Sequence, residues 1–240
     1  MFIKNAAFWK IIANTVILSG LMLLIAFPIP IVFALLLNEV REGKYKKVVQ
    51  SITIIPRFLS VVVVVMIFTT LLSPSSGVVN QVIEALGGEA IYFMNDPKWF
   101  RLVYTFSEVW QFMGWNSIIY MAVLAGADKE QYEAAMMDGA NRWKQTKYIT
   151  MPVLLPTISI NLIISVGNIL NISFEKALLM KTDSNSVTSE LLQTFVYAMG
   201  VEKSQYSFAT AIGLFQSVIG LILLYIANKI INKKWETGLW

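Results

Sequence analysis

Glu108, Gln111 and Trp115 stand three and four residues apart in one apolar stretch, a spacing that brings a carboxylate, a carboxamide and an indole to one helix face. A carboxylate beside an indole suits a sugar, whose apolar ring face stacks on the aromatic while its hydroxyls reach the polar groups. Packing or an interfacial aromatic belt would use the same residues, with Glu108 paired to Arg101. In a second stretch Asn161, Ser165, Asn168 and Glu175 fall within about 80° of one another on a helical wheel, with Asn171 on the flank. Amides both donate and accept, so this stripe matches uncharged, hydroxyl-rich solutes. Hydrogen bonds between the helices of a bundle are the alternative. Gln216 is a third isolated polar group, while Gly213 and Gly220 around it read as points of close helix packing.

The chemistry open to these residues is narrow. The chain has no cysteine and no histidine, which removes thiolates, disulfides, most zinc sites and any imidazole base. Glu108 and Glu175 could in principle act as an acid–base pair, but no nucleophile or metal cluster accompanies them. Recognition and passage of a solute fit better than its transformation, and no metal or cofactor is expected on this chain.

The elements that must position these groups are membrane helices. Of 240 residues, 56% are hydrophobic and 14% charged, against roughly 25% charged in soluble domains. Five stretches are long and apolar enough to span a bilayer: about 11–37, 52–72, 102–126, 153–174 and 206–231. Pro28 and Pro30 predict a bend in the first, and Pro56 lies near the first turn of the second. The fold class is therefore all-α, a polytopic transmembrane helical bundle.

Orientation follows from the basic residues. Arg41, Lys44, Lys46, Lys47 and Arg57, then Lys129, Arg142, Lys144 and Lys147, then Lys229, Lys233 and Lys234 all fall on one side, which is twelve of the 19 lysines and arginines. That side should be cytoplasmic. Lys4, Lys10, Lys98, Arg101, Lys176, Lys181 and Lys203 fall on the other, and residues 1–10 show no cleavable signal peptide. An outward N-terminus without a signal requires either a first span that inserts in reverse or a further helix upstream. Basic residues that flank spans in this way give no reason to expect a nucleic-acid partner.

Between the third and fourth spans, about 127–152, the chain is more than a connector. Residues 129–138 are good helix formers with acids toward the N-terminal end, and Gly139 follows where a helix needs a residue that tolerates positive φ. Ala134 and Ala135 allow close approach of another backbone, and Tyr132, Met136 and Met137 offer adaptable apolar contact. An amphipathic helix in the headgroup layer, anchored by Trp143 and Tyr148, would account for the same composition.

Glu133-Ala134-Ala135, then Gly139, Ile149 and Pro152, fit the spacing EAA, three residues, G, nine residues, I-x-L-P, with Met151 in place of the leucine. This resembles the cytoplasmic coupling loop of the permeases of ATP-binding-cassette (ABC) importers. Further segments look like the branch of that family assigned to complex carbohydrates: Phe27-Pro28-Ile29-Pro30, Asn38-Glu39, Leu72-Ser73-Pro74, Asp96-Pro97-Lys98-Trp99-Phe100, Phe174-Glu175-Lys176 and Gln205-Tyr206-Ser207-Phe208. The resemblance implies a type I importer in the bacterial cytoplasmic membrane. Two permeases form its pathway, two cytoplasmic ATPases bind ATP and Mg, and an extracytoplasmic solute-binding protein delivers the solute. It further implies that Glu133 pairs with a basic group of the ATPase, that Ala134 and Ala135 permit docking and that Gly139 sets the turn. Asp138, Ile149 and Pro152 belong to the same coupling segment. Such permeases usually begin with one more helix, which implies a sixth span ahead of the five. A permease for a non-sugar solute stays open, whereas a secondary transporter would leave the coupling segment unexplained.

Overall fold

The computed structural model describes residues 6–41 and 43–239; Lys4 and the start of the segment read for a signal peptide lie outside them. Among the described residues every regular element is helical.

Helix α1, Ala6–Leu21, continues through a π-helical turn, Met22–Ala26, into α2, Pro28–Glu39. Pro28 has no N–H and its ring would strike the carbonyl four residues back. The chain answers by widening one turn, so that Phe27 N–H donates to Met22 O, five residues back, at 2.9 Å. Phe8–Glu39 thus runs as one 32-residue span, and the expected disruption takes the form of a π-bulge ahead of the prolines.

The second predicted span is not one helix. Helix α3, Lys44–Ile54, tightens into a 3-10 turn at Ile55–Phe58 that contains Pro56, and a separate helix α4, Val61–Leu71, leaves at 106°. Leu59 is extended, and Ser60 starts the new helix by accepting from Val63 N–H at 3.3 Å. Eleven residues reach about 16 Å, half of a bilayer core of about 30 Å. Helix α5, Val78–Ala85, lies in the following connection.

Helix α6, Pro97–Ala125, is 29 residues long, with Asp96 capping its start by accepting from Lys98 N–H at 2.9 Å. It is the central element and packs against α2, α3 and α4. After α7, Lys129–Met137, the short α8, Arg142–Gln145, passes through a π turn, Thr146–Thr150, into α9, Met151–Gly167. The fourth span accordingly runs from Arg142 to Gly167 instead of 153–174, and Ile149 and Pro152 sit inside it rather than in a loop. The outer segments α10, Phe174–Met180, α11, Ser186–Ser189, and α12, Leu192–Tyr197, lead to α13, Tyr206–Trp235, which packs on α9.

Among the described residues three helices are long and apolar enough to cross a membrane, or four if the bent pair α3–α4 is one span. Helix α6 has the length, but Glu108, Gln111 and Asn116 interrupt its apolarity. The helices meet where side chains vanish. A Cβ on Gly114 would lie 2.2 Å from Thr53 O of α3, and one on Gly220 would lie 2.6 Å from Gly167 O, whereas Gly213 faces open space. Of the two glycines read as packing points, only Gly220 is one.

Candidate functional site

Two adjoining cavities run along the shared face of the first span, α6 and α9. The first, about 320 Å³, is walled by Ser19, Tyr104, Glu108, Asn116, Ser165, Asn168 and Asn171. The second, about 370 Å³, shares Asn116 and Ser165 with it and adds Trp115, Tyr120 and Asn161. The backbone places these groups: the π-bulge opens the first span at Met22–Ala26, and α9 ends at Gly167 so that Asn168 caps it and Asn171 follows on a turn.

Most of the polar residues singled out from the sequence reach this space, but not as one helical stripe. The stripe read as Asn161 to Glu175 ends with the helix, and Glu175 is exposed on α10, away from both cavities. Gln216 is buried and donates to Leu170 O at 3.3 Å, a contact between α13 and the end of α9. Gln111 is 1% exposed and donates to Leu59 O at 3.2 Å, bracing the α3–α4 break from behind. Asn161 and Asn168 each spend an N–H on the carbonyl four residues back, at 2.9 and 3.1 Å.

Three residues escaped the sequence reading. Asn116 lines both cavities, and an amide within an apolar run could have been flagged by its cost in lipid alone. Tyr104, another wall of the first cavity, donates to Ser173 O at 3.2 Å. Lys176, counted as a charge and as part of the Phe174-Glu175-Lys176 segment but not as a site residue, is buried with its Nζ 2.7 Å from Glu108 Oε1 and 2.8 Å from Gln111 Oε1. Glu108 is thus paired with Lys176 and not with Arg101, which donates instead to Asn14 Oδ1 at 2.9 Å. Arg57, assigned to the cytoplasmic cluster, lies against Phe112 and Trp115, near the midpoint of α6. Of these two charges used for topology, Lys176 is interior to the bundle, while Arg57 is exposed and lies against two aromatic rings of α6.

On the side of α6 away from Glu108, α7 occupies the predicted helix. Asp128 caps it by accepting from Glu130 N–H at 2.9 Å. At its other end Gly139 adopts φ +72° and donates to Met136 O at 3.1 Å, while Ala140 donates to Ala135 O at 2.9 Å, a Schellman closure. Glu133, Ala134 and Asp138 are exposed and Ala135 half-buried, beside exposed Met136 and Met137. Tyr132 Oη lies 3.0 Å from Thr150 Oγ1, and Thr150 in turn donates to Gln145 O, so α7 is bonded to the N-terminal end of the α9 span. Ile149 is half-buried and Pro152 exposed. Trp143 and Tyr148 are exposed beyond. Among the described residues no cluster of Asp and Glu could hold a metal ion.

A bundle of apolar helices around a hydroxyl- and amide-lined cavity, with a capped helix presented at one end, defines a membrane transport subunit. The chain belongs to the family of binding-protein-dependent transport system inner membrane components, whose family model matches residues 26–237. It is 42% identical over 239 residues to Protein LplB of Bacillus subtilis, covering 100% of this chain and 75% of that protein. It is 40% identical to the polygalacturonan/rhamnogalacturonan transport system permease protein YteP of the same organism, over 97% of this chain and 73% of that one. Among solved structures, a chain of a bacterial alginate ABC transporter in complex with an alginate pentasaccharide-bound periplasmic protein superposes with a TM-score of 0.95 at 38% identity. The match covers 99% of this chain and 83% of that one.

Proposed function

We propose that this chain forms half of the transmembrane pathway of an ATP-driven carbohydrate importer in the bacterial cytoplasmic membrane, with energy entering through α7. The observation that carries the reading is the direct bond from α7 to the α9 span, whose far end supplies Ser165 and Asn168 to the cavity. A displacement of α7 therefore has a covalent and hydrogen-bonded route to the solute.

In this reading α7 seats in a cleft of a cytoplasmic ATPase, Glu133 meets a basic group there, and Ala134 and Ala135 let the two backbones approach. ATP and Mg stay on two such ATPase subunits. A second permease closes the open side of the cavities, and lipid covers the remaining apolar surface. Helix α6 crosses as well, with its polar positions turned inward, which brings the total to five spans. An extracytoplasmic binding protein delivers the solute, a reading supported by the complex of the alginate transporter with a pentasaccharide-bound periplasmic protein. The carbohydrate assignment is supported by the names of YteP and the alginate transporter and by the neutral donors and acceptors of the cavity walls.

The chain has no cysteine, so Ala134→Cys creates a unique handle. Crosslinking in native membranes should capture an ATPase with a phosphate-binding loop, in a yield that changes with nucleotide. Adducts to lipid alone would place α7 in the headgroup layer and remove the coupling role.

A further inference from the structure

Arg57, an exposed residue, lies within the 3-10 turn at the α3–α4 break, with its guanidinium carbon 5.1 Å from the Phe112 ring centroid and 5.6 Å from that of Trp115. Phe112 is close to the halfway residue of Pro97–Ala125, so the guanidinium sits near the middle of the depth that α6 covers. A cation at that depth is costly in lipid and is found facing a cavity, a partner or a solute path. Among the described residues no carboxylate lies within ion-pair distance of Arg57, and Glu108, on the same helix as Phe112, is committed to Lys176.

What surrounds Arg57 is suited to an anion. The group opens on a cavity of about 400 Å³ that Phe58, Leu59, Ser60 and Trp115 complete, and Trp115 is also a wall of the cavity that contains Asn116 and Asn161. Helix α4 begins at Val61 beside it, adding the positive end of a helix dipole to the guanidinium charge. Broken helices at mid-membrane place such ends against anionic solute groups. Glu108 and Lys176 cancel, so among the described residues of this chain Arg57 is the charge beside these cavities that has no ion-pair partner.

We infer that Arg57 binds the carboxylate of a uronic-acid unit during passage, with Trp115 against the sugar ring. The planar guanidinium matches a carboxylate with two parallel hydrogen bonds, and its contact with two aromatic faces holds the fork in one orientation before the solute arrives. The inference rests on the carbohydrate-import reading and narrows it to acidic saccharides.

The test uses the intact importer, isolated from native membranes through a tag on this chain and reconstituted in liposomes with its binding protein. ATP-driven uptake of digalacturonate and of its uncharged dimethyl ester is measured for the wild type, Arg57→Gln and Arg57→Lys. Arg57→Gln should lower uptake of the acid by about tenfold or more, as loss of a charge-assisted pair requires, and leave ester uptake and basal ATPase rates unchanged. Arg57→Lys should retain part of the acid uptake. Unchanged acid uptake in Arg57→Gln would overturn the inference. So would an equal loss for acid and ester, which would mark Arg57 as the partner of an acid on the second permease. Wild-type uptake of neither form, with Ala134→Cys still capturing the ATPase, would overturn this inference while leaving the importer reading intact.

Discussion

Lys176 Nζ and Glu108 Oε1 are 2.7 Å apart, with the lysine side chain 1% and the glutamate 12% exposed. The pair joins α10, an outer-side segment, to the middle of α6, and Gln111 accepts a second hydrogen bond from the same ammonium. Removing one partner strands a buried charge, whereas removing both leaves no charge to strand.

Lys176→Met and Glu108→Gln should each lower the unfolding midpoint of the purified chain, by an amount equivalent to about 3–5 kcal/mol. The double variant should recover much of that loss. Thermal unfolding followed by tryptophan fluorescence reads the difference, and additive losses in the double variant would show that the two groups are not coupled.

Gly139 holds φ +72°, which proline cannot reach and which other L-residues adopt at a cost of about 1–2 kcal/mol. Gly139→Pro should abolish transport while the protein still inserts and remains folded, and Glu133→Lys should do the same by reversing the charge presented to the ATPase. Full uptake by either variant would dismiss the coupling role of α7.

The Tyr132–Thr150 hydrogen bond can be removed from either end. Tyr132→Phe and Thr150→Val should each reduce the stimulation of ATPase activity by loaded binding protein about fivefold, the worth of roughly one hydrogen bond, with basal hydrolysis unchanged. The double variant should be no worse than the singles. Independent, multiplying effects would mean that the two side chains act separately.

The two glycines of α13 separate packing from mere sequence pattern. Gly220→Ala should weaken the α9–α13 contact and lower stability, because its Cβ would meet the Gly167 carbonyl at 2.6 Å. Gly213→Ala, with nothing within 4 Å, should be neutral. Melting temperatures of the two variants measured side by side decide the point.

Asn116 is the amide common to both cavities. Asn116→Leu should cut solute uptake at least about tenfold without lowering stability, since it removes polar lining and no bond that holds the bundle. A folding defect instead would assign Asn116 to packing.

The helix over Lys129–Met137 was legible in the sequence because local rules govern it: the helix formers and a glycine at the position needing positive φ are written in adjacent residues, although Asp128, which caps the start, went unread. The spans were legible in existence but not in continuity. A wheel drawn from Asn161 to Glu175 assumes a helix throughout, and the turn after Gly167 redirects everything beyond it. Pro56 was read as a first-turn residue, yet it terminates one helix and Ser60 starts another. The contacts of Lys176 and Arg57 went unread, because pairing with Glu108 and stacking on Phe112 depend on tertiary neighbours that no local pattern records.

The unbroken run from Arg142 to Gly167 has a mechanical consequence. Its 26 residues make a rod of about 39 Å, anchored to the docking helix at one end and carrying Ser165 near the other. A tilt of about 10° in such a rod carries the far end about 7 Å, more than the width of a sugar ring. On the importer reading proposed above, the span is a lever, and a small stroke applied at α7 would become a displacement on the scale of the cargo at the far end.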